Sequence, residues 1–87
     1  EELGMIFKVI SSETFNEEVE KLAVKLANMP TKALGFIKEL LNKSITNTLE
    51  EQLELEGKLQ IEAAQSEDYS EGVHAFMEKR KPIFKGK

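Results

Sequence analysis

The side chains best suited to binding chemistry form a basic cluster at the end of this chain. The cluster consists of Lys79, Arg80, Lys81, Lys85 and Lys87, and Glu78 is the only acid beside it. The net charge of the whole chain is −4, so the remainder is acidic. A nucleic acid requires an extended basic face, which an acidic body does not offer. A short basic tail suits a small anion better, although charge alone favours a tail that is merely solvated.

The acidic side chains and the single histidine suggest other sites, but the spacing supports none of them. Four glutamates between residues 50 and 56 are typical of an acidic helix surface. Glu67 and Asp68 are not followed by calcium-loop spacing, so charge at a helix start explains them better than metal binding. His74 has no partner that indicates catalysis, and we interpret it as a surface residue. The absence of cysteine excludes disulfides and thiolate metal sites.

Composition indicates one small, soluble, globular domain. The 87 residues are 40% hydrophobic and 32% charged. No apolar run approaches the roughly 20 residues of a membrane span, and no signal peptide is visible, so we expect a cytoplasmic protein without a membrane partner. The chain begins at Glu1 and not at Met, which hints at a piece of a longer protein.

Hydrophobic periodicity predicts an all-α fold, with three or four amphipathic helices after a short extended lead. The residues from Met5 to Ile10 are predicted to form a short strand. The four predicted helices cover Thr14–Asn28, Thr31–Ser44, 48 to about Gln65, and about Ser66 to Arg80.

Local signals mark several of these boundaries. Pro30 ends the first helix and fits the first turn of the second. Thr48 and Glu51 form a capping-box pattern at the start of the third helix. Ser66 or Ser70 caps the fourth helix, and Pro82 ends it. The third helix is apolar on more than one stripe, so we expect it to be covered on two sides.

The region of the fourth helix also carries a long motif with fixed spacing. Its members are Glu67, Asp68, Glu71, Gly72, Ala75, Phe76, Glu78, Lys79, Arg80, Pro82 and Phe84. This pattern resembles the C-terminal signature of the crotonase family, the enoyl-CoA hydratases and isomerases. The resemblance covers essentially the whole chain. Within the family, Asn47-Thr48-Leu49 and the closing Phe84-Lys85-Gly86-Lys87 are most similar to the phenylacetate-degradation branch, whose isomerase acts on a ring epoxide of phenylacetyl-CoA.

The resemblance implies a division of the chain. Residues 1–12 would be the extended end of the family's spiral core, and residues 13–87 its C-terminal helical domain for oligomerisation and contact with the edge of coenzyme A. The family's catalytic acids and oxyanion-hole amides precede this region, so we assign no catalytic residue and expect the chain alone to be inactive. Coenzyme A would enter as part of the acyl-CoA thioester substrate, without a prosthetic group or a metal.

The resemblance also implies two binding residues, Phe76 and Lys79, at the adenine end of coenzyme A. An aromatic face can stack on adenine, and a lysine one turn later can meet a phosphate. From periodicity alone, Phe76 would pack in a core with Val73 and Met77, and Lys79 would be a solvated lysine at a helix end. The sequence leaves both questions open: Phe76 either contacts coenzyme A or packs in a core, and Lys79 either contacts a phosphate or is solvated.

The partners expected from the resemblance are further copies of the chain, as a trimer or a dimer of trimers in the parent enzyme and by self-association of this segment. A free-standing helical interaction module without enzymatic role is the alternative. Two other small helical classes do not fit the residues. A carrier protein needs an Asp-Ser-Leu site, and no Asp-Ser dipeptide occurs here. A small acyl-CoA-binding protein needs tyrosine anchors on several helices, but Tyr69 is the only tyrosine.

Overall fold

The computed structural model describes residues 1–87 and contains four α-helices without a strand. The helices are α1 (Phe15–Ala27), α2 (Thr31–Ser44), α3 (Leu49–Ala64) and α4 (Glu67–Met77). The predicted all-α class is therefore confirmed. The bounds of α2 agree with the prediction at both ends.

The predicted strand from Met5 to Ile10 does not form. Residues 2–7 form a turn and a bend, and residues 8–11 have no regular structure, because no second strand is present to accept their backbone hydrogen bonds. It is instead tied locally, since the Glu1 carboxylate accepts the Val9 N–H at 2.9 Å. Lys8 also forms an ion pair with Glu18 on α1, at 2.9 Å.

Side-chain caps define the starts of α3 and α4. The Thr48 hydroxyl accepts the Glu51 N–H at 3.2 Å, and the Glu51 carboxylate accepts the Thr48 N–H at 2.8 Å, so the predicted capping box is confirmed. Ser66, and not Ser70, caps α4 by accepting the Tyr69 N–H at 3.0 Å. These caps satisfy backbone donors that have no partner inside a helix.

The turn between α2 and α3 is held by the side chain of Gln52. Its amide nitrogen donates to the Leu40 carbonyl at 3.1 Å, and its amide oxygen accepts from Asn47 at 3.1 Å. One side chain thereby joins the last turns of α2 to the first turn of α3.

The four helices form an open slab, not a closed core. Helix α2 packs on α3 and α3 on α4, while α1 lacks a comparable contact with any of them. The slab measures 44 × 40 × 19 Å, and its radius of gyration is 16.5 Å. A compact chain of this length would have a radius of about 12 Å. Leu59 and Ala75 are the only buried apolar residues.

Much apolar surface is consequently uncovered. The accessible area is 7615 Å², compared with about 5,200 Å² for a compact protein of this mass. On α3, Leu53 and Ile61 are 57% and 64% exposed. The second side of α3, which the sequence predicts to be covered, therefore has no cover within this chain.

Candidate functional site

Helix α4 ends in a backbone turn that requires a left-handed residue. The Arg80 N–H donates to the Ala75 carbonyl at 3.0 Å, and the Lys79 N–H donates to the Phe76 carbonyl at 3.2 Å. This pair of bonds is the Schellman motif, which usually has glycine at the left-handed position. Here the position belongs to Lys79, with φ of 54°. The turn ends α4 at Met77, earlier than the sequence-predicted end at Arg80 and well before Pro82.

Arg80 is paired with two glutamates. Its guanidinium donates two hydrogen bonds to the Glu71 carboxylate, at 2.6 and 3.0 Å, and one to Glu78 at 2.6 Å. Glu71 also accepts the Ile83 N–H at 2.8 Å. The Arg80 bonds, followed by the Ile83 N–H, lower the pKa of Glu71 to about 2, and the Glu71 carboxylate raises the pKa of Arg80. Arg80 therefore serves the turn and is not a free cation of the basic cluster.

A buried carboxylate fixes the residues that follow. Asp68 is only 4% exposed. Its two oxygens accept the Lys85 N–H at 2.7 Å and the Gly86 N–H at 2.8 Å, while its own N–H donates to the Lys87 carbonyl at 3.0 Å. We call residues 80–87 the tail. The tail thus runs back along α4, and Asp68 is a structural clamp, not only a charge at a helix start.

The end of the tail closes against α2. Gly86 has φ of +76°, and a Cβ atom there would lie 2.5 Å from the Thr31 hydroxyl oxygen. Only glycine fits both the backbone conformation and this close approach. Phe84 lies over Gly72, where an added Cβ would meet the ring at 3.7 Å. The tail therefore links α4 to the start of α2.

The fixed turn presents both sequence-predicted binding residues on the surface. The Phe76 side chain is 85% exposed, so it takes no part in a core of this chain, contrary to the expectation from periodicity. Lys79 is also exposed and makes no ion pair. Lys81, Lys85 and Lys87 are exposed as well. Phe76 and Lys79 are thus two exposed residues of the same turn. Arg80 differs from the lysines because it is paired with Glu71 and Glu78.

Beside Phe76 lies an open apolar groove of about 400 Å³. Its lining comes from α2, α3, α4 and the tail and includes Pro30, Ala33, Ala63, Tyr69, Val73 and Phe84. The lining also includes Ser66 and Asp68. The Ser66 hydroxyl caps α4 and donates to the Ala63 carbonyl, and both Asp68 oxygens accept tail N–H groups, so both side chains are engaged in structural hydrogen bonds. The groove can accept a flat or aliphatic group.

The remaining candidate residues do not form a site. His74 is exposed, and the glutamates between residues 50 and 56 lie exposed along α3. No group of three histidine, cysteine or carboxylate side chains is close enough to hold a metal ion. None of the helices is both long and apolar enough to cross a membrane.

Comparison with known proteins gives a consistent result over the whole chain. The family model described as enoyl-CoA hydratase/isomerase matches residues 1–87. The chain is 49% identical to the 1,2-epoxyphenylacetyl-CoA isomerase of Escherichia coli K12 over 86 residues, covering 99% of this chain and 33% of the relative. It is 38% identical to a probable enoyl-CoA hydratase of Rhodobacter capsulatus over 85 residues, covering 98% of this chain and 33% of that protein.

A solved structure has the same arrangement of helices. An enoyl-CoA hydratase subunit from Geobacillus kaustophilus superimposes with a TM-score of 0.88 at 43% identity, covering 99% of this chain and 34% of that one. The open slab thus corresponds to part of a larger fold. This chain spans about one third of the length of the relatives it matches.

Proposed function

The chain belongs to the enoyl-CoA hydratase/isomerase family, and we propose that it is the helical part of a longer enzyme that processes acyl-CoA thioesters. In that enzyme it supplies contacts between subunits and part of the site for the adenine end of coenzyme A. The observation that carries the proposal is the hydrogen-bonded turn at the end of α4, in which Phe76 and Lys79 are both exposed.

The chemistry of these two side chains fits a nucleotide. An exposed aromatic ring can stack on a base, which is typically worth about 1–3 kcal/mol. The Lys79 ammonium can pair with a phosphate, which at an exposed site contributes about 1 kcal/mol or less. Arg80 is less suited to this role, because Glu71 and Glu78 already neutralise its guanidinium. The segment therefore adjusts the affinity for coenzyme A and does not perform the reaction.

The reaction itself we assign to the longer protein. Enoyl-CoA hydration and isomerisation can share a thioester enolate that is stabilised by an oxyanion hole. The slab carries no group that we assign to this chemistry, so the 87-residue chain alone is inactive in our proposal. The 49% identity to a 1,2-epoxyphenylacetyl-CoA isomerase supports a substrate from phenylacetate degradation. A fatty acyl-CoA substrate is the second candidate, supported by the relatives named as hydratases.

The uncovered apolar surface supports the oligomeric part of the proposal. The accessible area of one chain exceeds that of a compact monomer by about 2,400 Å². Permanent interfaces bury about 1,000–2,500 Å² on each partner, so the excess is large enough for such an interface. Covering it requires other protein surface, from the rest of the enzyme and from neighbouring copies. We propose a trimer or a dimer of trimers in the cytoplasm.

Sequencing of the gene upstream of Glu1 is the first test. A reading frame that continues into a further domain would support the enzyme, whereas a start codon directly before Glu1 would favour the free-standing helical module. The second test uses the longer enzyme, because the 87-residue chain alone is inactive in our proposal. It compares the enzyme's KM for an enoyl-CoA with its KM for the matching N-acetylcysteamine thioester, which lacks the nucleotide. Phe76→Ala and Lys79→Ala should raise KM for the CoA thioester alone. Equal effects on both substrates would contradict the proposed contact.

A further inference from the structure

Lys79 adopts a backbone conformation that lysine rarely takes. Its φ of 54° lies in the left-handed region, where the Cβ atom of any L-residue other than glycine is crowded. A glycine at this position would form the same turn without strain. Strained residues persist only where their surroundings fix them, and they concentrate at functional sites. The left-handed conformation of Lys79 must therefore be held by neighbouring residues, and the choice of lysine over glycine indicates that its side chain has a function.

Arg80 and Glu71 supply the structural cause. The Arg80 N–H closes the turn on Ala75, and its guanidinium is bound by two hydrogen bonds to Glu71, nine residues earlier on α4. Glu71 also holds the Ile83 N–H, so the chain is fixed on both sides of the turn. If Arg80 were released, Lys79 would be free to return to the right-handed region, and the direction of its side chain relative to Phe76 would change.

We propose that Glu71 is a positioning residue, which acts through Arg80 to hold Lys79 in the left-handed conformation required for it to meet a phosphate of the nucleotide. The inference rests on the proposed function, because it takes the nucleotide end of coenzyme A as the ligand. Glu71 itself does not touch the nucleotide.

The direction in which Glu71→Gln changes the Kd for an anion distinguishes positioning from simple electrostatics. Glu71→Gln removes a negative charge and weakens the hold on Arg80, and both changes would strengthen the binding of an anion if charge alone mattered. Positioning predicts the opposite, since only the fraction of molecules with the correct turn binds, and the apparent Kd rises as that fraction falls. A turn populated one third of the time gives a Kd about threefold higher. Glu78→Gln is the matched control, because Glu78 also pairs with Arg80 but holds no backbone N–H.

The experiment titrates the 87-residue chain and its variants with adenosine 3′,5′-bisphosphate, followed by NMR. We expect Glu71→Gln to raise Kd about threefold, with Glu78→Gln unchanged or tighter. The Cα and Cβ chemical shifts of Lys79 should move away from left-handed values in Glu71→Gln only. An unchanged or lower Kd in Glu71→Gln, or a higher Kd with unchanged Lys79 shifts, would overturn the proposal.

Lys79→Ala separates this inference from the proposed function. If Lys79→Ala binds the bisphosphate as well as the wild type, the contact itself is refuted and the proposed function fails at this site. If Lys79→Ala weakens binding but Glu71→Gln does not, the contact stands and only the positioning role is refuted. Because stacking and the lysine contact together are worth about 2–4 kcal/mol, the wild-type Kd should lie in the millimolar range, and a wild-type chain whose Phe76 and Lys79 signals do not shift at tens of millimolar ligand would overturn both. Circular dichroism confirms that each variant keeps its helices, and Glu71→Ala, which removes all acceptors, should exceed Glu71→Gln in effect.

Discussion

Replacing Asp68 by asparagine tests whether a single buried carboxylate holds the tail. Asp68 is almost fully buried, and each of its oxygens accepts one backbone N–H, from Lys85 and from Gly86. Asparagine has the same shape but only one acceptor oxygen. Its NH₂ group would face an N–H that needs an acceptor, so one bond is lost and two donors oppose each other.

The size of the effect follows from these contacts. A hydrogen bond to a charged group contributes about 1.5–3 kcal/mol. The second bond survives in weakened form, and the released tail can regain hydrogen bonds to water, which limits the loss. We therefore expect tail docking to weaken by about 2 kcal/mol. Since each 1.4 kcal/mol is a factor of ten, the Lys85 and Gly86 amides should exchange with solvent about 30-fold faster.

Hydrogen exchange followed by NMR measures this rate amide by amide. Glu67→Gln is the control, because Glu67 carries the same charge at the same helix start but is exposed and makes no side-chain hydrogen bond. It should change stability by less than about 1 kcal/mol, through the helix dipole, and leave the tail amides unaffected. Tail exchange in Asp68→Asn within a factor of about three of the wild type would refute the clamp.

Four further results are expected. Because Arg80 lowers the pKa of Glu71 to about 2, the Glu71 contribution to tail docking should be complete above about pH 4.5 and disappear as the pH falls toward 2. Protection factors of the tail amides, which correct for the intrinsic pH dependence of exchange, should fall in this window; constant protection factors would contradict the prediction. Gly86→Ala should destabilise the chain by at least about 1 kcal/mol, because the backbone there is left-handed and the new Cβ atom would meet Thr31. Gly35→Ala should instead stabilise α2 by about 1 kcal/mol, because no atom lies within 4 Å of an added Cβ atom at that position. Equal shifts in Tm for the two variants would contradict both explanations. Thr48→Ala should lose about 1 kcal/mol in urea unfolding with the capping box, and a loss below a few tenths would mean that the cap is dispensable. Sedimentation should show self-association at high concentration, because the slab exposes large apolar faces; a monomer at every concentration would count against it.

The sequence predicted those elements whose causes are local. Pro30 and the periodic pattern after it define α2, and the Thr48 capping box defines the start of α3, because each signal lies within a few residues of the boundary it sets. The end of α4 was predicted too late. The Lys79 turn carries no glycine to mark it, and its cause is a pairing of Arg80 with Glu71 across two turns of helix.

The clamp by Asp68 was missed for a related reason. At the start of a helix an aspartate looks like a favourable charge, and the sequence holds no local sign that residues 85 and 86 return to it. The pairing becomes visible only when the tail is placed in three dimensions. The prediction of a strand from Met5 to Ile10 was wrong for a different reason. The local composition favours a strand, but this chain contains no other strand with which it could pair. For the binding residues, the sequence supplied the types and the structure supplied their exposure, while the contact with coenzyme A remains a prediction.

The order of helix contacts in the slab has a consequence for how the chain folds. Helix α2 touches α3, and α3 touches α4, so each helix finds its neighbour within a short stretch of chain. Such low contact order gives fast folding, and single helices form in about a microsecond. The contact of Gly86 with Thr31 is different, since it closes a loop that includes α2, α3 and α4. Tail docking should therefore be the last step of folding and the first to reverse.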